Sequence, residues 1–184
     1  VAQLPIPPDV GLVMMSNGTL WRIVGQDAVP RAFNTAVLPP NNQGIQILPP
    51  PWTMASSPDG DTSIVLAGNG NAYLYDALID DFIQSRQVIT PPVTGYYGPI
   101  AAGPRGQYFL VNGLVLNQAL TPTANAGTVP GAGQTTVSRP VAAVAAISPA
   151  FFARFAPPVV ANANAAVNNT GLIELVSVNT GAVM

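Results

Sequence analysis

The chain of 184 residues contains no cysteine, no histidine and no lysine. Without cysteine there is no disulfide, no thiolate metal site and no cysteine nucleophile. Without histidine there is no Ser-His-Asp triad, no Cys-His pair and no imidazole ligand for a metal. Without lysine there is no Schiff base, no Ser-Lys dyad and no phosphate-loop lysine. Charge of either sign is scarce, at 8% of residues and a net −2, where an ordinary soluble domain carries about a quarter. The six basic residues are all arginines and form no basic cluster. That argues against nucleic acid, which needs cations to neutralise phosphates, and against electrostatic attachment to anionic membranes. A long apolar run is also missing. The longest, Val141 to Ala153, is broken by Ser148-Pro149 and ended by Arg154, well short of the ~18 residues that suggest a membrane span.

What is present is 48% apolar residues, with 20 prolines and 17 glycines. So much apolar surface excludes disorder as the reason for the low charge. A surface this poor in charge is sticky when bare, which implies cover from copies of the chain, another partner or glycan. The abundance of Asn, Thr, Gly and Pro leans toward an extracellular or cell-surface setting. The chain starts at Val1 with no signal-peptide pattern and reads as a processed product or one block of a longer repetitive protein.

A turn signal recurs along the chain. Ser57-Pro58-Asp59-Gly60 is followed by Gly103-Pro104-Arg105-Gly106 and by Ile147-Ser148-Pro149, with prolines 46 and then 45 residues apart. A degenerate copy stands upstream at Ser16-Asn17-Gly18, where Gly18 precedes Gly60 by 42 residues. Each signal follows a short apolar run. A period in the forties with strand–turn–strand punctuation predicts an all-β, propeller-like array of about four small antiparallel sheets. The approximate bounds are 8–48, 49–95, 96–140 and 141–184, with strand 1–7 added to the last. Asn17-Gly18 and Asn112-Gly113 suit two-residue hairpins, because both central residues need positive φ. The first predicts strands Gly11–Ser16 and Thr19–Val24, the second Tyr108–Val111 and Leu114–Asn117. Ser63–Leu66 and Ala72–Tyr75 flank a glycine-containing loop, and Leu172–Val178 is a further strand. The proline-rich stretch from Val37 to Pro51 reads as a loop or sheet edge, Thr121 to Gln134 as a long exposed loop, and Ala156 to Thr170 as an insertion. Ala77 to Ser85 suits a turn or two of helix, although a strand over Phe82–Val88 fits as well.

Two units carry a family likeness. Ala55-Ser56-Ser57-Pro58-Asp59-Gly60, followed by Ile64-Val65-Leu66-Ala67 and Ala72-Tyr73-Leu74-Tyr75-Asp76, resembles the bacterial surface-protein propeller repeat of the YVTN type. Ile147-Ser148-Pro149 and Ile173-Glu174-Leu175-Val176-Ser177-Val178-Asn179-Thr180-Gly181 look like the same repeat's turn and third strand. In such repeats the Thr-Gly turn is followed by an outer strand. The resemblance implies that Val1-Ala2-Gln3-Leu4 supplies that strand beside Leu172, Ile173, Leu175, Val176 and Val178. The strand comes either from the same chain, closing a ring, or from a neighbouring copy.

Little chemistry remains available. Carboxylate chemistry would draw on Asp9, Asp27, Asp59, Asp61, Asp76, Asp80, Asp81 and Glu174, most of them in turns that explain them without catalysis. Asp59-Gly60-Asp61 and Asp80-Asp81 lack the spacing of a calcium loop. Trp21, Trp52, Tyr96 and Tyr97 suit burial between sheets better than sugar stacking. Asn168-Asn169-Thr170 is the more credible of two glycan acceptor patterns. The expectation is a non-enzymatic extracellular protein with no catalytic residue, cofactor or metal. Its partners are identical copies joined head to tail into an array or fibre. A propeller that binds a carbohydrate or protein ligand is the alternative.

Overall fold

Short β-branched and aromatic runs closed by glycine turns give sixteen strands and one 3-10 turn among the described residues. The computed structural model describes residues 10–14, 20–24, 27–30, 32–89, 99–111, 113–125, 128–131, 134–138, 141–156 and 171–184. The fold is all-β and propeller-like. Its strands form successive antiparallel meanders, in which each strand pairs with the one before it.

Sheet 1 contains β1 (Val10–Met14), β2 (Leu20–Val24) and β3 (Asp27–Pro30). Sheet 2 contains β4 (Thr53–Ser56), β5 (Thr62–Leu66), β6 (Asn71–Asp76) and β7 (Asp81–Gln87). Sheet 3 contains β8 (Ile100–Ala102), β9 (Phe109–Val111), β10 (Leu114–Leu116) and β11 (Pro122–Asn125). A hairpin of β12 (Thr128–Gly131) and β13 (Gln134–Ser138) follows. Sheet 4 contains β14 (Ala143–Ala146), β15 (Phe151–Ala156) and β16 (Leu172–Ser177).

The recurring turn occupies the same place in three successive sheets, between the first strand and the second. In sheet 2, Ser57 N–H donates to Thr62 C=O. In sheet 3, Gly103 N–H donates to Tyr108 C=O, and in sheet 4 the Ile147 and Ser148 N–H groups donate to Phe151 C=O. The first strands β4, β8 and β14 lie side by side, so the sheets fan out from a common inner edge. At Gly106, with φ +59, an added Cβ would meet the Thr62 side chain at 2.7 Å. The turn of sheet 3 therefore seats directly on sheet 2 because this position has no side chain.

Alternation within each strand divides the core into layers. Between sheets 2 and 3 lie Ile64, Leu66, Ala72 and Leu74 against Ala102, Phe109, Val111, Leu116 and Leu120. Between sheets 3 and 4 lie Tyr108, Leu110 and Val115 against Phe152, Val176 and Val178. The other face of sheet 2, with Val65, Tyr73, Tyr75 and Phe82, is covered by Phe33, Leu38 and Leu48. The proline-rich stretch from Val37 to Pro51 is a loop, as its prolines require, but it also serves as a lid. The buried Gln46 amide holds it shut by donating to Phe33 C=O at 2.9 Å and Leu38 C=O at 2.6 Å.

Val111 stands opposite Leu114, the register expected of a two-residue connection between β9 and β10. Leu172–Ser177 and the two strands flanking the Ala67–Gly70 turn also fall where the apolar runs place them. Ala77–Asp80 is a turn and Asp81–Gln87 is strand, which settles that ambiguity against helix. Thr121 to Gln134 is not a long loop. It holds β11 and β12, because Leu114–Leu116 needs an outer partner and Pro122 is tolerated at a sheet edge where no N–H is required. The turn at Asn17-Gly18, Pro91-Pro92 and the stretch from Pro157 to Thr170 lie outside the described residues.

Candidate functional site

Sheet 4 differs from sheets 2 and 3 at both its edge and its face. Among the described residues sheets 2 and 3 have four strands, whereas sheets 1 and 4 have three, sheet 4 with a bridge between Val176 and Val183 beside them. After the turn at Val178–Thr180, Ala182 C=O accepts from Ser177 N–H and Met184 N–H donates to Leu175 C=O, both at 2.9 Å. Val183 stands opposite Val176. In an antiparallel ladder, outward backbone groups alternate along the strand. After Ser177 and Leu175, the next outward pair on β16 belongs to Ile173, and no pairing is assigned there among the described residues.

The inner face of sheet 4 packs on sheet 3 and holds one buried ion pair. Arg154 and Glu174 are directly opposed in the ladder, with Nε 2.7 Å from Oε2 and Arg154 only 2% exposed. Arg154 Nη1 is buried with no hydrogen-bond partner among the described residues. At the turn end, the Tyr108 hydroxyl donates to Ser148 C=O at 3.0 Å and Phe151 C=O at 3.3 Å, tying sheet 3 to sheet 4. Burial pushes the Tyr108 phenol up to about 12, against a smaller opposing backbone hydrogen bond at Ile147.

The outer face of sheet 4 is apolar and bare. The ladder places Ala143, Phe155 and Ile173 in one row and Ala145, Ala153 and Leu175 in the next, with Met184 beyond Leu175. Ile147 and Phe151 continue the face toward the turn. Ile173 is 82% exposed and Met184 76%, and Ile147, Phe155 and Leu175 are exposed as well. The two charged side chains of the sheet both point to the inner face, so the outer one has none.

The residues expected at an assembly interface therefore separate into groups. Leu172, Ile173 and Leu175 are exposed. Val176 and Val178 are buried in the layer against sheet 3 and hold the sheet in place rather than presenting a surface. Val1, Ala2, Gln3 and Leu4 lie outside the described residues, as does Asn168. The sequence expectation concerned an edge at Leu172, Ile173 and Leu175 and not the face that Ala143, Ala145, Phe155 and Met184 form with Ile173 and Leu175. The signal was there in the alternation of two apolar faces on a sheet with one sheet packed against it.

A second feature lies between sheets 2 and 3 at the turn end. A half-open cleft of about 360 Å³ is lined by Asp61, Asp76, Arg105 and Gln118, with Leu74, Leu78 and Ile83 as its apolar part. Asp61 and Asp76 are two carboxylates of the candidate pool, and Asp76 also stands opposite Asp81 in the ladder of sheet 2. Asp76 is partly committed, since its Oδ1 accepts from Leu78 N–H at 2.8 Å. Asp59 belongs to its turn. Burial pushes its carboxyl up, but donors at Ser57, Asp61 and Arg105 outweigh that and hold it below its ordinary value. Asp81 accepts from Asn34 N–H at 2.9 Å, and Asp80 accepts from the Tyr75 hydroxyl. Trp52 packs against the covered face of sheet 2, the core role expected of it. Trp21, Tyr96 and Tyr97 have no described side chain.

No protein-family model and no curated protein sequence matches the chain. Solved structures do match in fold. The computationally designed Ika8 protein superposes with a TM-score of 0.53 at 12% identity, over 98% of this chain and 46% of that one. The RRP9 WD40 repeats give 0.49 at 13% identity, over 91% and 48%. The Neurospora crassa Pan2 WD40 domain gives 0.45 at 9%, over 95% and 50%. The chain spans about half the length of these structures, and the likeness is one of fold alone.

Proposed function

We propose that this chain is a non-enzymatic propeller module whose work is association, and that its partners are copies of itself joined head to tail at sheet 4. The observation behind this reading is the edge of sheet 4, where Leu172, Ile173 and Leu175 of β16 are exposed and no pairing is assigned at Ile173 on the outward side among the described residues. An open strand edge is a template for another strand, because each backbone donor and acceptor left there gains a partner on pairing. Val1–Leu4 of a neighbouring copy fills that place, running antiparallel to Leu172–Glu174 in the register that Ala182–Met184 begins. Copies so joined form an array or fibre. A secreted or cell-surface setting, as in the YVTN-type repeats, suits a chain with 8% charged residues. Electron microscopy of the full chain and of a chain lacking Val1–Pro7 tests the reading. Oligomers or filaments are expected from the first and monomers from the second, with the same circular dichroism. Equal assembly by both rules out the strand, and monomers from both rule out self-association.

The cleft between sheets 2 and 3 favours a second reading, in which the propeller holds a carbohydrate or protein ligand among Asp61, Asp76, Arg105 and Gln118. A saturable hit on a glycan or peptide array that is lost in Asp61→Ala would support it.

A further inference from the structure

The cleft between sheets 2 and 3 sorts its lining by wall. Sheet 2 and its turns supply the carboxylates of Asp61 and Asp76 and the aliphatic side chains of Leu74, Leu78 and Ile83, while the turn of sheet 3 supplies Arg105. Ile83 reaches the cleft through a bulge in β7, where Leu74 pairs with Gln84 and Tyr75 with Phe82. An extra residue of this kind re-aims a side chain, as bulges beside functional sites do. It leaves Ile83 40% exposed, in one cleft with Leu78 at 81%. The charges are not spent inside the molecule. Among the described residues no hydrogen bond or ion pair engages the Asp61 carboxylate or the Arg105 guanidinium, and the two do not pair with each other. Asp76 commits Oδ1 to the turn amides of Leu78 and Ile79, and its Oδ2 has no described partner. We infer that this cleft takes a basic side chain, lysine or arginine, from an extended segment of a partner protein, with an acidic residue of the same segment on Arg105. The site is that of the second reading above, on which this inference rests, and the occupant is a protein rather than a carbohydrate.

The lining itself selects that ligand. Lysine and arginine join an apolar stem to a charged head. The sheet 2 wall repeats that division, with Leu74, Leu78 and Ile83 for the stem and Asp61 and Asp76 for the head. Carboxylates with unused acceptors bind ammonium or guanidinium groups through charge-assisted hydrogen bonds, which are stronger than neutral ones. Arg105 on the opposite wall repels a second cation and attracts a carboxylate, so it sets what can stand beside the basic residue. No aromatic ring lines the cleft, so a sugar ring has no flat apolar platform on which to stack. Its volume of about 360 Å³ is near the lower end of ligand pockets, at roughly 300–1,000 Å³. It therefore holds a side chain or two and leaves the rest of the segment outside.

Binding of the full chain to two arrays tests the site: one of short peptides with lysine, arginine, norleucine or glutamate at the centre, the other of glycans. Saturable hits are expected among the lysine and arginine peptides that have an acidic neighbour. In fluorescence anisotropy the strongest of them should bind about tenfold better than its norleucine counterpart, which keeps the stem and lacks the charge. Asp61→Asn keeps the shape of the side chain and the backbone carbonyl that Ala77 N–H uses, so the fold is retained, as circular dichroism checks. It should weaken the basic peptide by the same factor and leave the norleucine peptide unchanged. Leu78→Ser should weaken both, and Arg105→Gln should erase the preference for an acidic neighbour. If norleucine binds as well as lysine and arginine, or if Asp61→Asn binds the basic peptide like the parent, a basic side chain is not what the cleft takes. Glycan hits alone, lost in Asp61→Asn, would keep the cleft as a ligand site and overturn the peptide. No saturable hit on either array would overturn both the peptide and the ligand-binding reading beneath it.

Discussion

Sheets 2 and 4 are built from the same repeat, with the same turn between their first two strands, yet they meet different surroundings. Sheet 2 is covered on both faces, by sheet 3 on one side and by the Phe33–Leu48 lid on the other. Its middle strands are buried nearly end to end. Sheet 4 is covered on one face only, and Ile173 on the other is 82% exposed. The contrast shows that the apolar character of a strand here is set by the repeat rather than by the cover the strand finally has. A sheet that keeps two apolar faces with one neighbour retains the capacity to take another.

The largest expected difference between the two sheets is in tolerance to truncation. Phe82 is fully buried and meets Phe33, Tyr73 and Tyr75 edge-to-face at centroid distances of 5.2, 6.3 and 5.5 Å. Phe82→Ala should cost about 3–5 kcal/mol through lost burial and the cavity left behind. Ile173→Ala should stay within about 0.5 kcal/mol in the dissociated chain. Urea unfolding followed by circular dichroism at low protein concentration checks both. Equal costs would mean that the face of sheet 4 is covered within the single chain.

A smaller effect is expected from the ion pair on the inner face of sheet 4. Glu174→Ala leaves the Arg154 guanidinium buried without its carboxylate and should cost about 3 kcal/mol. Replacing both, as Arg154→Met with Glu174→Leu, should restore most of that stability, because no buried charge remains. A double variant as unstable as the single one would show that the pair fixes the sheet geometry rather than neutralising itself.

The smallest effect is expected at Tyr108. Tyr108→Phe removes one neutral hydrogen bond to sheet 4 and should cost about 1 kcal/mol at neutral pH. The folded phenol titrates near 12, above its ordinary 10.0. Its contribution is therefore complete below pH 10 and is lost as pH rises toward 12. The Tyr108→Phe chain should show a flatter fall in Tm over that range than the parent. Parallel curves would place the alkaline sensitivity elsewhere.

The repeat and its strands were readable because glycine and proline turns have fixed steric requirements. Pro58, Pro104 and Pro149 mark the same corner of three sheets, and Gly113 at φ +81 makes the expected two-residue hairpin. Other features depend on distant partners and were not readable. The Phe33–Leu48 lid has the composition of a surface loop, and only the side chains of sheet 2 make it core. β11 contains a proline and small polar residues, and it is a strand because β10 offers it an edge. The candidate site divides in the same way. The exposed edge at Leu172–Leu175 could be read from the end of the repeat, whereas the bare face depends on which sheet packs where. The convergence of Asp61 and Asp76 with Arg105 and Gln118 on one cleft joins residues far apart in sequence.

Hydrogen exchange of the full chain at low and high protein concentration tests the central claim most directly. Joining of copies at sheet 4 predicts that β16 amides, above all Ile173 at the open edge, slow as concentration rises while those of β5 and β6 stay unchanged. Identical exchange of β16 at both concentrations, in a chain that does associate, would contradict the claim and move the junction to another part of the molecule.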